Sequence, residues 1–230
     1  MDTVVISIGG SVLVPGEKDF EYLSELGRLL TELSSQHKLY AVVGGGRTAR
    51  FYIELGRNLG ADEIYLDEMG VQATRLNARL LISALSGRAN EYPPETVEEA
   101  VELGNRHEIV VMGGTTPGHT TDGVAALLAE SVKADRIINA TSVDGVYTKD
   151  PKKYEDAERI DALTFEGLLE LCRTSSWKAG PSNVFDPLGA ETLVRTKIPL
   201  LVLNGRDLPN LAAAIRGEQF SGTVVSGEEE

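Results

Sequence analysis

The sequence predicts an α/β fold, a three-layer α/β/α sandwich whose central sheet is mostly parallel. Three observations predict it. Short β-branched runs alternate with runs of helical period along the whole chain. Glycine clusters stand where three of the short runs end, at Gly9-Gly10-Ser11, Gly44-Gly45-Gly46 and Gly113-Gly114-Thr115. No proline- or serine-rich linker and no internal repeat interrupts the alternation, so residues 1–225 read as one domain.

The elements follow in order. Residues 3–8 (TVVISI) are β-branched and make a first strand. Residues 19–35 place apolar side chains at Phe20, Leu23, Leu26, Leu30 and Leu33, close to helical spacing. A second strand over 39–43 runs into the GGG turn and a helix from about 47 to 59, and EIYL at 63–66 is strand-like. Helices are predicted over 71–85 and 96–103, a strand over 109–112, and an alanine- and leucine-rich helix over 122–132. Residues 136–140 form another strand, followed by the turn-rich VDGVYTKDP. Helices over 165–173 and 187–196, a strand over 200–204 and a helix over 208–215 complete the domain. The last residues, 226–230 (SGEEE), read as a disordered, solvated tail.

Composition narrows the partners. The formal net charge of −13 and the lack of a Lys/Arg run speak against nucleic acid and against an anionic membrane surface. A chain this acidic must bind phosphates through local donors: backbone N–H groups, helix N-termini and a few placed cations. One cysteine, Cys172, excludes an internal disulfide and fits a reduced cytoplasm; among leucines it reads as a small core residue. The N-terminus enters a strand directly, without a signal peptide, and no transmembrane stretch is expected.

The glycine turns carry the chemistry. Glycine lets main chain approach a ligand, and a helix after such a turn directs unpaired N–H groups at an anion. A single Gly-Gly at a strand end is an ordinary tight turn, but three at equivalent ends of one sheet would face one cleft and share an anion site. Arg47 and Arg50, three apart after GGG, can share a helix face and offer paired donors to phosphate. His119, in a polar loop, could touch a ligand or simply bond the backbone.

A competing pattern is present. Gly44-Gly45-Gly46-Arg47-Thr48-Ala49 fits G-x-G-x-x-A, and Asp67 follows about twenty residues later, as in NAD-binding dehydrogenases. Against this, the fingerprint follows the second strand, and it leaves the GGS and PGHTTD segments without a role. The P-loop and G-x-S-x-G patterns are absent, and three scattered histidines with one cysteine cannot supply a usual zinc set.

Together, IGGSVLVP, VVGGGRTARFYIELG, MGGTTPGHTTDGVAALLAE and TSVDGVYTKDP resemble the amino-acid-kinase superfamily, and within it the archaeal type of uridylate kinase. The likeness runs from about residue 4 to residue 215. It implies transfer of the γ-phosphoryl of ATP to UMP in pyrimidine nucleotide biosynthesis, with Mg2+ accompanying ATP, in a cytoplasmic homohexamer. By that resemblance the part from about 1 to 130 takes the acceptor nucleotide and the part from about 131 to 225 takes ATP. Gly10, Ser11, Gly46, Arg50, Thr141, Tyr147 and Asp150 match positions facing ATP. Gly45, Asp67, Thr115, Thr116, Pro117, Gly118, His119, Thr120 and Thr121 match positions facing UMP. Asp186 matches a carboxylate that organises the catalytic site. Many relatives place a lysine two residues before the first glycine pair, where this chain has Ser7, and other branches carry aspartate at Ser142. Lys178 is the expected replacement cation, with Arg50 second. The other functions in play are a small-molecule kinase for a carboxylate or isoprenoid phosphate, an oxyanion-storage protein, and the dehydrogenase.

Overall fold

The structure is a computed structural model that describes residues 1–14, 19–151, 153–174 and 185–227. Strand β1 (Asp2–Ile8) pairs in parallel with β2 (His37–Val43) on one side and β4 (Arg136–Thr141) on the other. β3 (Ile109–Met112) extends the sheet beyond β2, and β8 (Leu200–Asn204) extends it beyond β4, both in parallel. The sheet closes with β9 (Thr223–Ser226), antiparallel to β8, and β7 (Ala162–Thr164), giving the order β3-β2-β1-β4-β8-β9-β7. It is mostly parallel, as the alternation of elements requires.

Two cores make the three layers. Because side chains alternate across a strand, Val4, Ile6 and Ile8 join a core with helices α2 (Asp19–Leu33), α4 (Glu63–Ala84) and α9 (Leu208–Arg216). On the opposite face Val5 packs with α5 (Val97–Gly104), α6 (Thr121–Val132), α7 (Phe165–Thr174) and α8 (Pro187–Thr196). Helices α1 (Gly10–Leu13) and α3 (Gly46–Asn58) begin in the first two glycine turns.

The structure corrects the sequence in three places. EIYL is not a strand: Asp62 caps a helix there, accepting from the Tyr65 N–H at 2.9 Å, so one long helix α4 replaces a strand and a shorter helix. VDGVYTKDP contains a short strand, β5 (Val146–Tyr147), which pairs antiparallel with β6 (Arg159–Ile160) beyond that segment. β9 reaches Ser226, one residue into the expected tail, because Ser226 itself pairs with Thr164 of β7. The helical correction also removes the dehydrogenase alternative, since Asp67 stands on a helix and not at the end of a second strand of a βαβ unit.

Candidate active site

The chain runs outward from β1 to β2 and β3, then returns to place β4 on the other side of β1. Such a switch point leaves a crevice beyond the carboxyl ends of the strands, where ligands of open α/β sheets bind. A cleft of about 330 Å³ lies there. Its walls include Gly10, Ser11, Gly45, Gly46, Arg50, Thr121, Thr141, Tyr147 and Asp150, so one cavity gathers nine of the residues the sequence singled out.

Two of the glycine turns are interlocked. Gly44 N–H donates to the Ile8 carbonyl at 2.9 Å, and a Cβ on Gly44 would lie 2.8 Å from the Gly10 nitrogen. Gly46 has φ of +55°, and a side chain there or at Gly10 would run into the other turn's main chain. Glycine is therefore needed for main chain to pass main chain, as well as for any ligand. The third pair behaves differently. Gly113 and Gly114 are buried against α4, where a Cβ on Gly113 would meet Thr74 Oγ1 at 2.6 Å, and neither lines the cleft. The expectation that all three pairs share one cleft is corrected to two.

Helix α4 holds these turns, which the sequence did not reveal. Asn77 Nδ2 donates to the carbonyls of Gly44 and Gly45 at 2.9 and 3.0 Å. Thr74 Oγ1 accepts from Gly114 N–H and donates to the Val71 carbonyl, both at 2.6 Å. Arg75 donates to the carbonyls of Gly114 and Thr115 and pairs with Glu95 at 3.0 Å. The available signal was an asparagine and a threonine on an otherwise apolar helix face.

At the cleft floor Ser7 Oγ donates to Asp122 Oδ1 at 2.6 Å. Thr120 caps α6, accepting from Gly123 N–H at 3.1 Å, so the helix N-terminus opens on the cleft beside Thr121 and Asp122. Asp122 is partly open to the cleft yet surrounded by protein. Burial pushes its carboxyl up to about 6, opposed by the Ser7 bond and reinforced by the charge of Asp186. Asp186 caps α8 by accepting from Gly189 N–H at 3.0 Å and packs close against Gly123 of α6, where a Cβ would stand 3.0 Å from its carboxylate. Cys172 lies nearby, its thiol pushed up to about 11 chiefly by burial, which makes it a packing residue.

The remaining expected residues sit apart from that cleft. Asp67 is exposed on α4 and accepts from Gly118 N–H at 3.2 Å; Gly118 itself has φ of +85°. Thr116 Oγ1 and His119 Nδ1 approach to 3.4 Å on the same exposed loop. Thr115 and Pro117 line a separate cavity of about 630 Å³ with Tyr52, Tyr65, Met69 and Arg75. It is the roomier of the two, but its walls lack the glycine turns and the helix N-terminus that phosphate chemistry calls for. Within the cleft itself Arg50 Nη2 lies 3.4 Å from Ser11 Oγ, and Tyr147 donates to Asp144 at 2.7 Å. Thr141 Oγ1 accepts from Val143 N–H at 3.0 Å. Lys178 lies outside the described residues.

Residues 2–204 match the model of the Amino acid kinase family. The uridylate kinase of Methanobrevibacter smithii is 43% identical over 223 residues, which cover 97% of this chain and 99% of that one. That of Thermoplasma volcanium is 48% identical over 218 residues, covering 94% of each. The crystal structure of uridylate kinase from Archaeoglobus fulgidus matches with a TM-score of 0.87 at 44% identity, covering 97% of this chain and 99% of that chain. A UMP kinase from Bacillus anthracis shares the fold, with a TM-score of 0.79 at 22% identity.

Proposed function

The chain belongs to the amino acid kinase family, and from that premise we propose that it transfers the γ-phosphoryl group of ATP to the phosphate of UMP, giving ADP and UDP. The observation that carries this is the near-full-length likeness, at 43% and 48% identity, to relatives named uridylate kinase. The cleft supplies the chemistry the transfer needs.

Two anions must be brought together, so the task is positioning and neutralising. A UMP phosphate oxygen attacks the γ-phosphorus, the bond to the β,γ-bridging oxygen breaks, and ADP leaves. The attacking oxygen is already ionised at neutral pH and needs no general base. Gly10, Ser11, Gly46 and Arg50 hold the ATP phosphates, and Thr141, Tyr147 and Asp150 border the adenosine half. Gly45 and Thr121 stand where the second phosphate enters, beside the α6 N-terminus. Asp67 takes the ribose hydroxyls of UMP, exchanging its present bond to Gly118 for them. Thr115, Thr116, Pro117, Gly118, His119 and Thr120 wrap the nucleoside. Asp186, the cap of α8 beside Gly123 of α6, organises the catalytic site, and Lys178 supplies the cation that Ser7 does not.

Magnesium fits this donor set as a companion of ATP. Asp122 offers one hard carboxylate to the cleft, and among the described residues no group of three or more His, Cys, Asp or Glu could hold a metal alone. When bound, the ion would offset charge on the ATP phosphates. Action in the cytoplasm, on nucleotides of pyrimidine biosynthesis, belongs to the same proposal; no helix among the described residues is long and apolar enough to cross a membrane. A homohexamer is part of the same proposal, supported by the apolar side chains that α3 and α4 expose.

The test is ADP release from Mg-ATP offered with UMP, CMP, AMP, isopentenyl phosphate or N-acetylglutamate. Strong turnover with UMP alone is expected. Preference for any other acceptor overturns the assignment.

A further inference from the structure

We propose that Asn139 is a catalytic residue of this reaction, its side-chain amide donating to an oxygen of the γ-phosphoryl group under transfer. This rests on the kinase function above and adds a residue to it. Asn139 is in register with Ser7 on the neighbouring strand, so both side chains point to the same face of the sheet, where Ser7 meets Asp122. It is 95% buried, with a relative exposure of 5%, and it lines the cleft together with Gly10, Gly46, Thr121 and Asp122. Among the described residues its amide makes no hydrogen bond, whereas Asn77 and Asn90, the other buried asparagines, each bond two main-chain carbonyls. The amide meets no protein group and opens on the cleft, so it is placed to donate to a ligand held there.

Charge says what that partner is. Ser7, the register neighbour of Asn139, holds the carboxylate of Asp122 at the same cleft, so a lysine or arginine at this position would be drawn toward Asp122. An amide N–H is a neutral donor that stays available to a phosphoryl oxygen. Among the described residues, the cations lining the cleft are Arg50 and Lys149, which come from other segments, the helix after GGG and the VDGVYTKDP excursion. Asn139 is thus a neutral side-chain donor between the β1 turn and the β4 end, where the terminal phosphate of a nucleotide held by Gly10 and Thr141 would lie.

The test uses the full chain and three variants, Asn139→Ala, Asn139→Leu and Asn139→Asp. For each, kcat with UMP and Mg-ATP is measured, together with the binding ratio of AMP-PNP, which carries a γ-phosphoryl group, to ADP, which does not. Asn139→Ala is expected to lower kcat about 10- to 100-fold and to reduce the AMP-PNP/ADP affinity ratio about fivefold or more. Asn139→Leu, which removes the unpaired amide at similar volume, should do the same while keeping or raising Tm; a structural asparagine would lower Tm instead. Asn139→Asp should be the most damaging, because it sets a further negative charge against the phosphate. An unchanged ratio overturns the assignment even if kcat falls, and so does an unchanged kcat. If the wild-type chain itself fails to turn over UMP, the kinase function falls, and the ratio still decides whether Asn139 meets a terminal phosphate.

Discussion

Asp122 shows how a single residue trades stability for function. Its carboxyl is raised from 3.8 to about 6, mainly because protein surrounds it. An acid raised in the folded state binds its proton more tightly there than in the unfolded chain. Its contribution therefore favours the fold at low pH and is lost as pH rises from about 4 to about 6. Asp122→Asn keeps an acceptor for Ser7 and removes the charge, so Tm at pH 7 should rise by about 2–4 °C, with the gain vanishing near pH 4. The same variant should lose about tenfold or more in kcat; a lower Tm at pH 7 would contradict this account. At this scale the sequence revealed residues whose type and spacing point to a chemistry unaided, such as Arg50 after GGG. Asp122 could be seen only as the start of a helix, since its role comes from Ser7, 115 positions away, and from Asp186. Lys178→Ala, in the cation expected to replace the lysine absent at Ser7, should lower kcat by roughly tenfold or more, measured at saturating UMP and ATP.

Among the elements, α4 does most to make the site. One helix face carries Thr74 and Asn77, which hold two glycine turns at the ends of neighbouring strands. Asn77→Ala would leave the Gly44 and Gly45 carbonyls without that donor, at a cost of about 1–3 kcal/mol. The expected result is a Tm lower by about 4–8 °C and a raised KM for both nucleotides, read by thermal melts and initial rates. Gly10→Ala attacks the same joint from β1: a methyl group there must push the GGG turn away, so nucleotide binding in calorimetry should disappear along with part of the stability. Strand and helix periods made most elements legible to within one or two residues, among them β3, α8 and β8. The start of α4 was hidden because EIYL is β-branched and aromatic, and the capping carboxylate of Asp62 outweighs that preference. β5, β6 and β7 span two or three residues, too short for any period to register.

For the whole molecule, the sequence carried the layer order through alternation of elements, but not the strand order that places β1 against β4 and so locates the cleft. Nor did it show which helices lack a cover. Phe51, Tyr52 and Leu55 on α3, with Ile64, Tyr65, Leu76 and Leu80 on α4, are all exposed, a larger apolar surface than an isolated acidic chain would be expected to leave in water. Tyr52, Tyr65 and Leu76 also wall the larger cavity together with Thr115 and Pro117 of the proposed acceptor loop. A second copy seated on this face would therefore bury the apolar surface and brace the proposed acceptor loop, joining assembly to acceptor affinity. The double variant Tyr52→Glu/Tyr65→Glu tests both halves at once. Light scattering should show a mass well below six times the 24.7 kDa of one chain, and initial rates should show a raised KM for UMP with the KM for ATP little changed. If the mass of the variant equals that of the wild type, the contact between copies lies elsewhere. If the mass falls while the KM for UMP holds, the acceptor loop keeps its shape unaided, through Arg75 and Thr74 within its own chain.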